Sequence, residues 1–185
     1  IIFILFLFTS YLHTTNIYVD DNGYETGTGT ITNPYNTIHK ALMVLKSGDT
    51  VYVKNGYYFG QNKIDTDNVA FIGEDSSSTI IDCGDTTTDT QCFKIYNRDT
   101  VYISGFKLIN SQNILVQDSN NSVIRNCIIY QNYDGIILWA CTNTVVKDNI
   151  FDTPYYVSLY LAEVKKCLIA NNIFYHKQNT YDIRG

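Results

Sequence analysis

With 185 residues and 45% apolar side chains, the chain can bury one hydrophobic core and is not a disordered tail. A net charge of -5, with no basic cluster to offset it, argues against a nucleic-acid partner. Sixteen Tyr against two Pro, with many Asn, Thr and Asp, describe short β-strands joined by polar turns and leave little room for long helices.

The chain opens Ile1-Ile-Phe-Ile-Leu-Phe-Leu-Phe8, too short a run to span a bilayer but the right length for the apolar core of a secretory signal. Residues 1–15 therefore read as a signal peptide whose basic start is missing, with cleavage between Ser10 and Thr15; the alternative is a buried first strand. Asn16 to Asp20 alternates like a strand, and a Gly/Thr-rich turn region runs from Asp21 to Thr30. The period then changes. Ile38, Ala41, Leu42 and Leu45 recur at helical spacing, which predicts an amphipathic helix over about residues 35–46, with Asn36 as N-cap and Gly48 as stop. Placed before the first full coil, it is expected to cover the open end of the core. A strand and a turn follow within Gly48-Asp-Thr-Val-Tyr-Val-Lys-Asn-Gly-Tyr-Tyr58, with further strands at Val69–Gly73 and Thr79–Asp82.

Cys83 and Cys92 bracket a polar loop that a disulfide can close if the chain is secreted; the bridge and two free thiols both remain open. Cys127, Cys141 and Cys167 lie in or beside apolar strands, where inward packing is expected.

From residue 93 onward the sequence repeats. Val101, Val123, Val145 and Leu168 head related segments spaced 22, 22 and 23 residues apart. A second column is expected at Phe106, Ile128, Ile150 and Ile173, and a third at Ile114, Ile136 and Val157. Three short strands per step of about 22 residues is the arithmetic of an all-β, single-stranded parallel β-helix, each strand pairing with its counterpart one coil away at about 4.8 Å. Val123, Val145 and Leu168 are expected in one interior file. Between the first two columns, Asn126, Asp148 and Asn171 are expected to form a structural ladder at a sharp turn, hydrogen-bonding from coil to coil.

The repeats Arg125-Asn-Cys-Ile-Ile, Lys147-Asp-Asn-Ile-Phe and Ala170-Asn-Asn-Ile-Phe resemble those of right-handed parallel β-helix proteins, the pectin-lyase-like superfamily. Ile17-Tyr-Val-Asp-Asp-Asn-Gly, Asn33-Pro-Tyr-Asn-Thr-Ile-His-Lys-Ala-Leu and Gly48-Asp-Thr-Val-Tyr-Val-Lys-Asn-Gly-Tyr-Tyr are similar to the opening of many such proteins, polysaccharide lyases and microbial surface proteins alike. The resemblance implies the fold of residues 16–185. It leaves the activity open, because one fold hosts many functions.

A lyase of this superfamily implies a Lys or Arg base beside carboxylates that hold Ca²⁺. Lys107, Arg125, Lys147 and Lys165 or Lys166 recur near coil spacing without a companion column of acids, and so read as solvated charges. Asp20 with Asp21, Asp65 with Asp67, and Glu74 with Asp75 are acid-rich spots that read as solvated turns. Asn132-Tyr-Asp134-Gly135 resembles a stretch of polygalacturonase-type hydrolases, but the partner carboxylates are missing. His13, His39 and His176 are scattered and form no metal set. No catalytic residue and no cofactor is evident, with Ca²⁺ entering only under the lyase alternative.

Aromatics crowd the later coils at Tyr130, Tyr133, Tyr155, Tyr156, Tyr160, Tyr175 and Tyr181, and such rings stack on sugar faces. Tyr130, Tyr133 and Tyr156 are the candidate carbohydrate contacts. Asn120-Asn-Ser122 is the single N-glycosylation sequon. The chain ends at Tyr181-Asp-Ile-Arg-Gly185, at the start of a further strand with no cap, so the domain is expected to be incomplete at its C-terminus. The expected function is a secreted or surface-displayed β-helix that binds polysaccharide or a cell-surface glycan. The alternative is the N-terminal part of a pectate-lyase-like enzyme.

Overall fold

The computed structural model describes residues 14–84, 90–175 and 181–185. The leader expectation falls almost wholly outside them, as do His13, His176 and the side chain of Tyr181. The chain winds as an all-β parallel solenoid with three faces. Sheet I stacks seven strands: Asn16–Tyr24, Thr50–Val53, Val69–Gly73, Val101–Ser104, Val123–Arg125, Val145–Lys147 and Leu168–Ala170. Sheet II stacks six: Gly56–Phe59, Thr79–Asp82, Lys107–Ile109, Ile128–Tyr130, Ile150–Asp152 and Ile173–Tyr175. Sheet III also stacks six: Asn62–Ile64, Gln91–Tyr96, Asn113–Gln117, Asp134–Trp139, Val157–Ala162 and Tyr181–Arg184.

Register partners in sheet I pair Thr50 with Ala70, Val69 with Val101, Tyr102 with Val123, Val123 with Val145 and Val145 with Leu168, steps of 20, 32, 21, 22 and 23 residues. The longest step contains the segment between Cys83 and Cys92, whose sulfurs are joined with Cα atoms 5.6 Å apart.

The repeat spacing holds, but its phase differs from the expectation. Val123, Val145 and Leu168 do share a file, yet it faces outward, with Leu168 53% exposed. The interior file is the next residue along: Ile17, Val51, Phe71, Ile103, Ile124, Val146 and Ile169. A strand alternates sides at every residue, so the repeat length fixes which residues stack and not which way they point. Val101 and Phe106 each sit one position out of the columns expected for them, since Val123 pairs with Tyr102 and Ile128 with Lys107. In sheet III, Val157 pairs with Asp134 and Leu159 with Ile136, a slip of two that preserves the face.

The corners follow from backbone chemistry. Gly105, Asn126, Asp148 and Asn171 turn the chain from sheet I to sheet II with φ of 84°, 50°, 56° and 54°, the left-handed region that Gly, Asn and Asp tolerate best. Asn110, Gln131 and Thr153 do the same between sheets II and III. The expected ladder residues are therefore the turn residues themselves, on the outside, with Asn126 and Asn171 exposed and Asp148 half-buried. Asn171 Nδ2 donates to Asp148 Oδ1 at 3.2 Å, whereas the Asn126 amide oxygen, in the orientation its surroundings require, accepts from Arg125 Nε at 3.2 Å.

A buried ladder runs one residue later. Asn149, fully buried, accepts from the Cys127 amide at 3.0 Å and donates through Nδ2 to the Ile124 carbonyl at 3.1 Å. Asn172 repeats the pattern, accepting from the Asn149 amide at 3.0 Å and donating to the Val146 carbonyl at 2.9 Å. Every bond satisfies a main-chain group that the sharp turn leaves without a strand partner.

The helix α1 covers Ile38–Val44, shorter than expected. Its N-cap is Thr37, whose Oγ accepts from the Lys40 amide at 3.3 Å, while Asn36 instead donates to Glu25 at 2.9 Å. Asp49 draws the chain away at the other end by accepting from the Lys46 amide at 2.8 Å and the Thr15 amide at 2.9 Å. Ile38 and Ala41 are buried, and Met43 faces solvent, as an amphipathic helix requires. No helix among the described residues is long and apolar enough to cross a membrane. Cys127 and Cys141 are buried free thiols, and Cys167 is half-buried.

Candidate functional site

The corner between sheets II and III brings together two of the three aromatic residues expected to bind. Tyr133 and Tyr156 follow the left-handed turn at equivalent places on successive coils, and the Tyr156 amide donates to the Tyr133 carbonyl at 2.9 Å. Their rings stack with centroids 5.8 Å apart and an interplanar angle of 22°, and they are 42% and 39% exposed. Arg184, on the next strand of sheet III, lies over the Tyr156 ring at 5.6 Å and donates to its hydroxyl. Tyr130 belongs to the outer face of sheet II instead, where the Lys107 ammonium sits 4.3 Å from its ring centroid.

Sheet III adds residues the sequence reading passed over. Tyr96, Gln117 and Trp139 are register partners on its outer face, and Tyr96 and Trp139 are 48% and 47% exposed. Two coils separate the rings, or about 10 Å at the strand spacing. The neighbouring outward file reads Lys63, Lys94, Leu115, Ile137, Tyr160 and Arg184. Aromatic faces and cations thus share one flat wall. The available signal was parity: Trp139 follows buried Leu138, and Tyr96 follows buried Ile95.

Behind the Tyr133–Tyr156 pair lies a buried polar group. Asn132 Oδ1 accepts from the Ser111 amide at 3.1 Å, but Asn132 Nδ2, Ser111 Oγ, Ser158 Oγ and Asp134 Oδ1 have no hydrogen-bond partner. Asp134 is only 8% exposed, and burial pushes its carboxyl up to about 6 against the opposing pull of the Val157 amide. A Cβ on Gly135 would come within 2.0 Å of the Ser158 carbonyl oxygen and 2.8 Å of the Phe151 ring. Close packing between coils thus accounts for Gly135.

The acid-rich spots spend their oxygens locally. Asp20 pairs with Lys54 at 3.0 Å, Asp21 accepts from the Tyr57 amide at 2.8 Å, and Glu74 accepts from the Asn55 amide at 2.9 Å. Asp65 pairs with Lys63 at 2.8 Å, Asp67 accepts from the Asp99 amide at 2.9 Å, and Asp75 caps its own turn through the Ser77 amide at 2.6 Å. Among the described residues no three His, Cys, Asp or Glu converge on one point. Of the recurring cations, Arg125 and Lys147 are neighbours on sheet I and share Asp148 at 3.8 and 3.9 Å.

Comparison with known proteins agrees with this architecture. The structure of a rhamnogalacturonan lyase is similar at a TM-score of 0.50 and 14% identity, over 92% of this chain and 62% of that one. Pectin methylesterase PemA from Erwinia chrysanthemi aligns at a TM-score of 0.45 and 12% identity, over 85% of this chain and 67% of that one. The chain therefore spans less than two thirds of the lyase structure it resembles. No curated protein sequence matches it. The family described as Pel9A-like, right handed beta helix region, matches residues 17–155, and the chain belongs to that family of right-handed parallel β-helices.

Proposed function

We propose that this chain is a secreted or cell-surface β-helix that holds an extended acidic polysaccharide against sheet III and its corner with sheet II, and that the described residues contribute binding and not bond cleavage. The observation that carries the reading is the stacked Tyr133–Tyr156 pair continued by Arg184. Two exposed rings offer apolar platforms to sugar faces, and the guanidinium supplies a planar partner for a carboxylate. Trp139 and Tyr96 extend the platform along the axis, and Lys94 adds positive charge beside them. The Cys83–Cys92 bridge suits an oxidising compartment. The lyase neighbour, named for rhamnogalacturonan, supports a pectic polymer as ligand.

Titration calorimetry of the chain with oligogalacturonates and rhamnogalacturonan fragments tests this. Tyr133→Ala and Tyr156→Ala should each weaken binding about tenfold, near 1.4 kcal/mol, and added salt should weaken it further. Tyr130→Ala should have the smaller effect, since Tyr130 lies on the outer face of sheet II, away from the corner. Binding that survives both corner substitutions sinks the reading. The family match favours a second reading, the N-terminal part of a pectate-lyase-like enzyme. Ultraviolet-absorbing unsaturated product from polygalacturonate and calcium, made by the chain or a longer form of it, would establish that alternative.

A further inference from the structure

We propose that the outer face of sheet I carries a second, separate saccharide site that seats one neutral pyranose ring among Tyr18, Tyr52, Ile31 and Ile72. Tyr18, Tyr52 and Ile72 are register partners on three successive strands, so alternation places all three side chains on the same outer face. The two rings stack with centroids 5.5 Å apart and an interplanar angle of 19°. Ile31 stands beside them as a wall. It occupies the tip of a tight turn closed by the Asn33 amide on the Thr30 carbonyl at 3.1 Å, and the turn is tied to the Tyr18 strand by the Tyr18 amide on the Gly29 carbonyl at 2.8 Å. Turn tips ordinarily carry Gly, Asn, Asp or Ser, yet here a large apolar side chain is 63% exposed. The open pocket they line together with Val53, Lys54 and Glu74 measures about 230 Å³. That is below the roughly 300–1,000 Å³ of pockets that engulf drug-sized ligands, and suits a single ring.

Charge selects the occupant. The two charged groups on the rim, Lys54 and Glu74, are already engaged, Lys54 with Asp20 at 3.0 Å and Glu74 with the Asn55 amide at 2.9 Å. Among the described residues at the rim, no uncompensated cation remains to hold a uronate carboxylate. A carboxylate brought against the apolar floor would lose hydration without a counter-charge. A neutral sugar loses little: its C–H face meets the rings and Ile31, and its hydroxyl edge meets Lys54, Glu74 and the tyrosine hydroxyls. This site lies on a different sheet from the corner and does not depend on the polysaccharide reading above.

Saturation-transfer NMR and titration of the chain with methyl β-D-galactopyranoside and methyl β-D-glucopyranoside, each beside its uronide, provide the test. At least one neutral glycoside should bind with a Kd in roughly the millimolar range. Its uronide should bind at least about fivefold more weakly, the sign expected for an uncompensated buried charge. Tyr52→Ala and Ile31→Ser should weaken the neutral glycoside about tenfold or more, the loss expected when a ring platform is removed. Met43→Ser, on the exposed face of α1, should leave binding unchanged. Ile31 is an exposed turn residue, so its variant should keep the circular-dichroism melt of the parent even where Tyr52→Ala does not. Saturating oligogalacturonate should not displace the neutral glycoside, which separates this site from the corner. Absence of neutral binding, a uronide bound as tightly, displacement by oligogalacturonate, or full binding in a folded Ile31→Ser variant would each overturn the proposal.

Discussion

The two corners flanking sheet II handle buried polar groups in opposite ways. At the corner from sheet I, Asn149 and Asn172 pass hydrogen bonds from coil to coil, and the main-chain groups exposed by the turn are met. At the corner into sheet III, Ser111, Asn132, Asp134 and Ser158 each keep a buried polar atom without a partner. The backbone demands at the two places are alike, since both turn through a left-handed residue. The difference is therefore chemical. A satisfied polar corner holds the coil together, whereas an unsatisfied one costs stability and persists where something other than stability is served. The exposed Tyr133–Tyr156 pair stands over the second kind.

Breaking the satisfied corner should have the largest effect. Asn149→Leu removes both donor and acceptor from a fully buried site and strands the Cys127 amide and the Ile124 carbonyl. At about 1–3 kcal/mol per stranded group, the variant should lose about 2–6 kcal/mol. Urea denaturation followed by circular dichroism measures this. A loss below about 1 kcal/mol would mean that the ladder is ornamental. Asn172 is only partly buried, so Asn172→Leu should cost less.

The unsatisfied corner should reveal itself through pH. Asp134 is pushed up to about 6 in the folded chain, against about 3.9 for an unperturbed Asp, so the folded state binds its proton more tightly than the unfolded state does. Its contribution to stability is complete below about pH 4 and is lost as pH rises through about 6. A shift of about two units corresponds to an upper bound near 3 kcal/mol. Denaturation midpoints between about pH 4 and pH 8 should therefore fall with rising pH in the parent, and Asp134→Asn should flatten that fall. An unchanged profile in the variant would place the pH sensitivity elsewhere.

These corners also mark what the sequence could disclose. The step of 22 or 23 residues was legible because every coil must return to the same place, and it predicted the stacked sheets. The phase was not, because Val123, Val145 and Leu168 are β-branched or large and repeat as faithfully on the outside as Ile124, Val146 and Ile169 do on the inside. The second, buried ladder at Asn149 and Asn172 was hidden for a related reason: Asn126, Asp148 and Asn171 are Asn or Asp because the left-handed turn favours them, which masks the Asn file that follows them. Tyr133 and Tyr156 were legible as aromatics of the later coils. Trp139 and Tyr96 were not, since only the alternation around Leu138 and Ile95 shows that they face solvent.

The smallest effect is the sharpest contrast between the corners. Ser158 is fully buried and its hydroxyl has no partner, so the folded chain holds a polar atom whose hydration has been removed and not replaced. Ser158→Ala deletes that atom while leaving the strand and its pairing with the Gly135 coil intact. Its stability should change by less than about 1 kcal/mol, and in the stabilising direction, because no hydrogen bond is lost and an unmet one is removed. At the satisfied corner the matching deletion, Asn172→Ala, removes bonds to the Asn149 amide and the Val146 carbonyl and must destabilise. Thermal melts of the two variants side by side should move in opposite directions. If Ser158→Ala instead destabilises as much as Asn172→Ala, the hydroxyl is bonded in solution and the second corner is as well satisfied as the first.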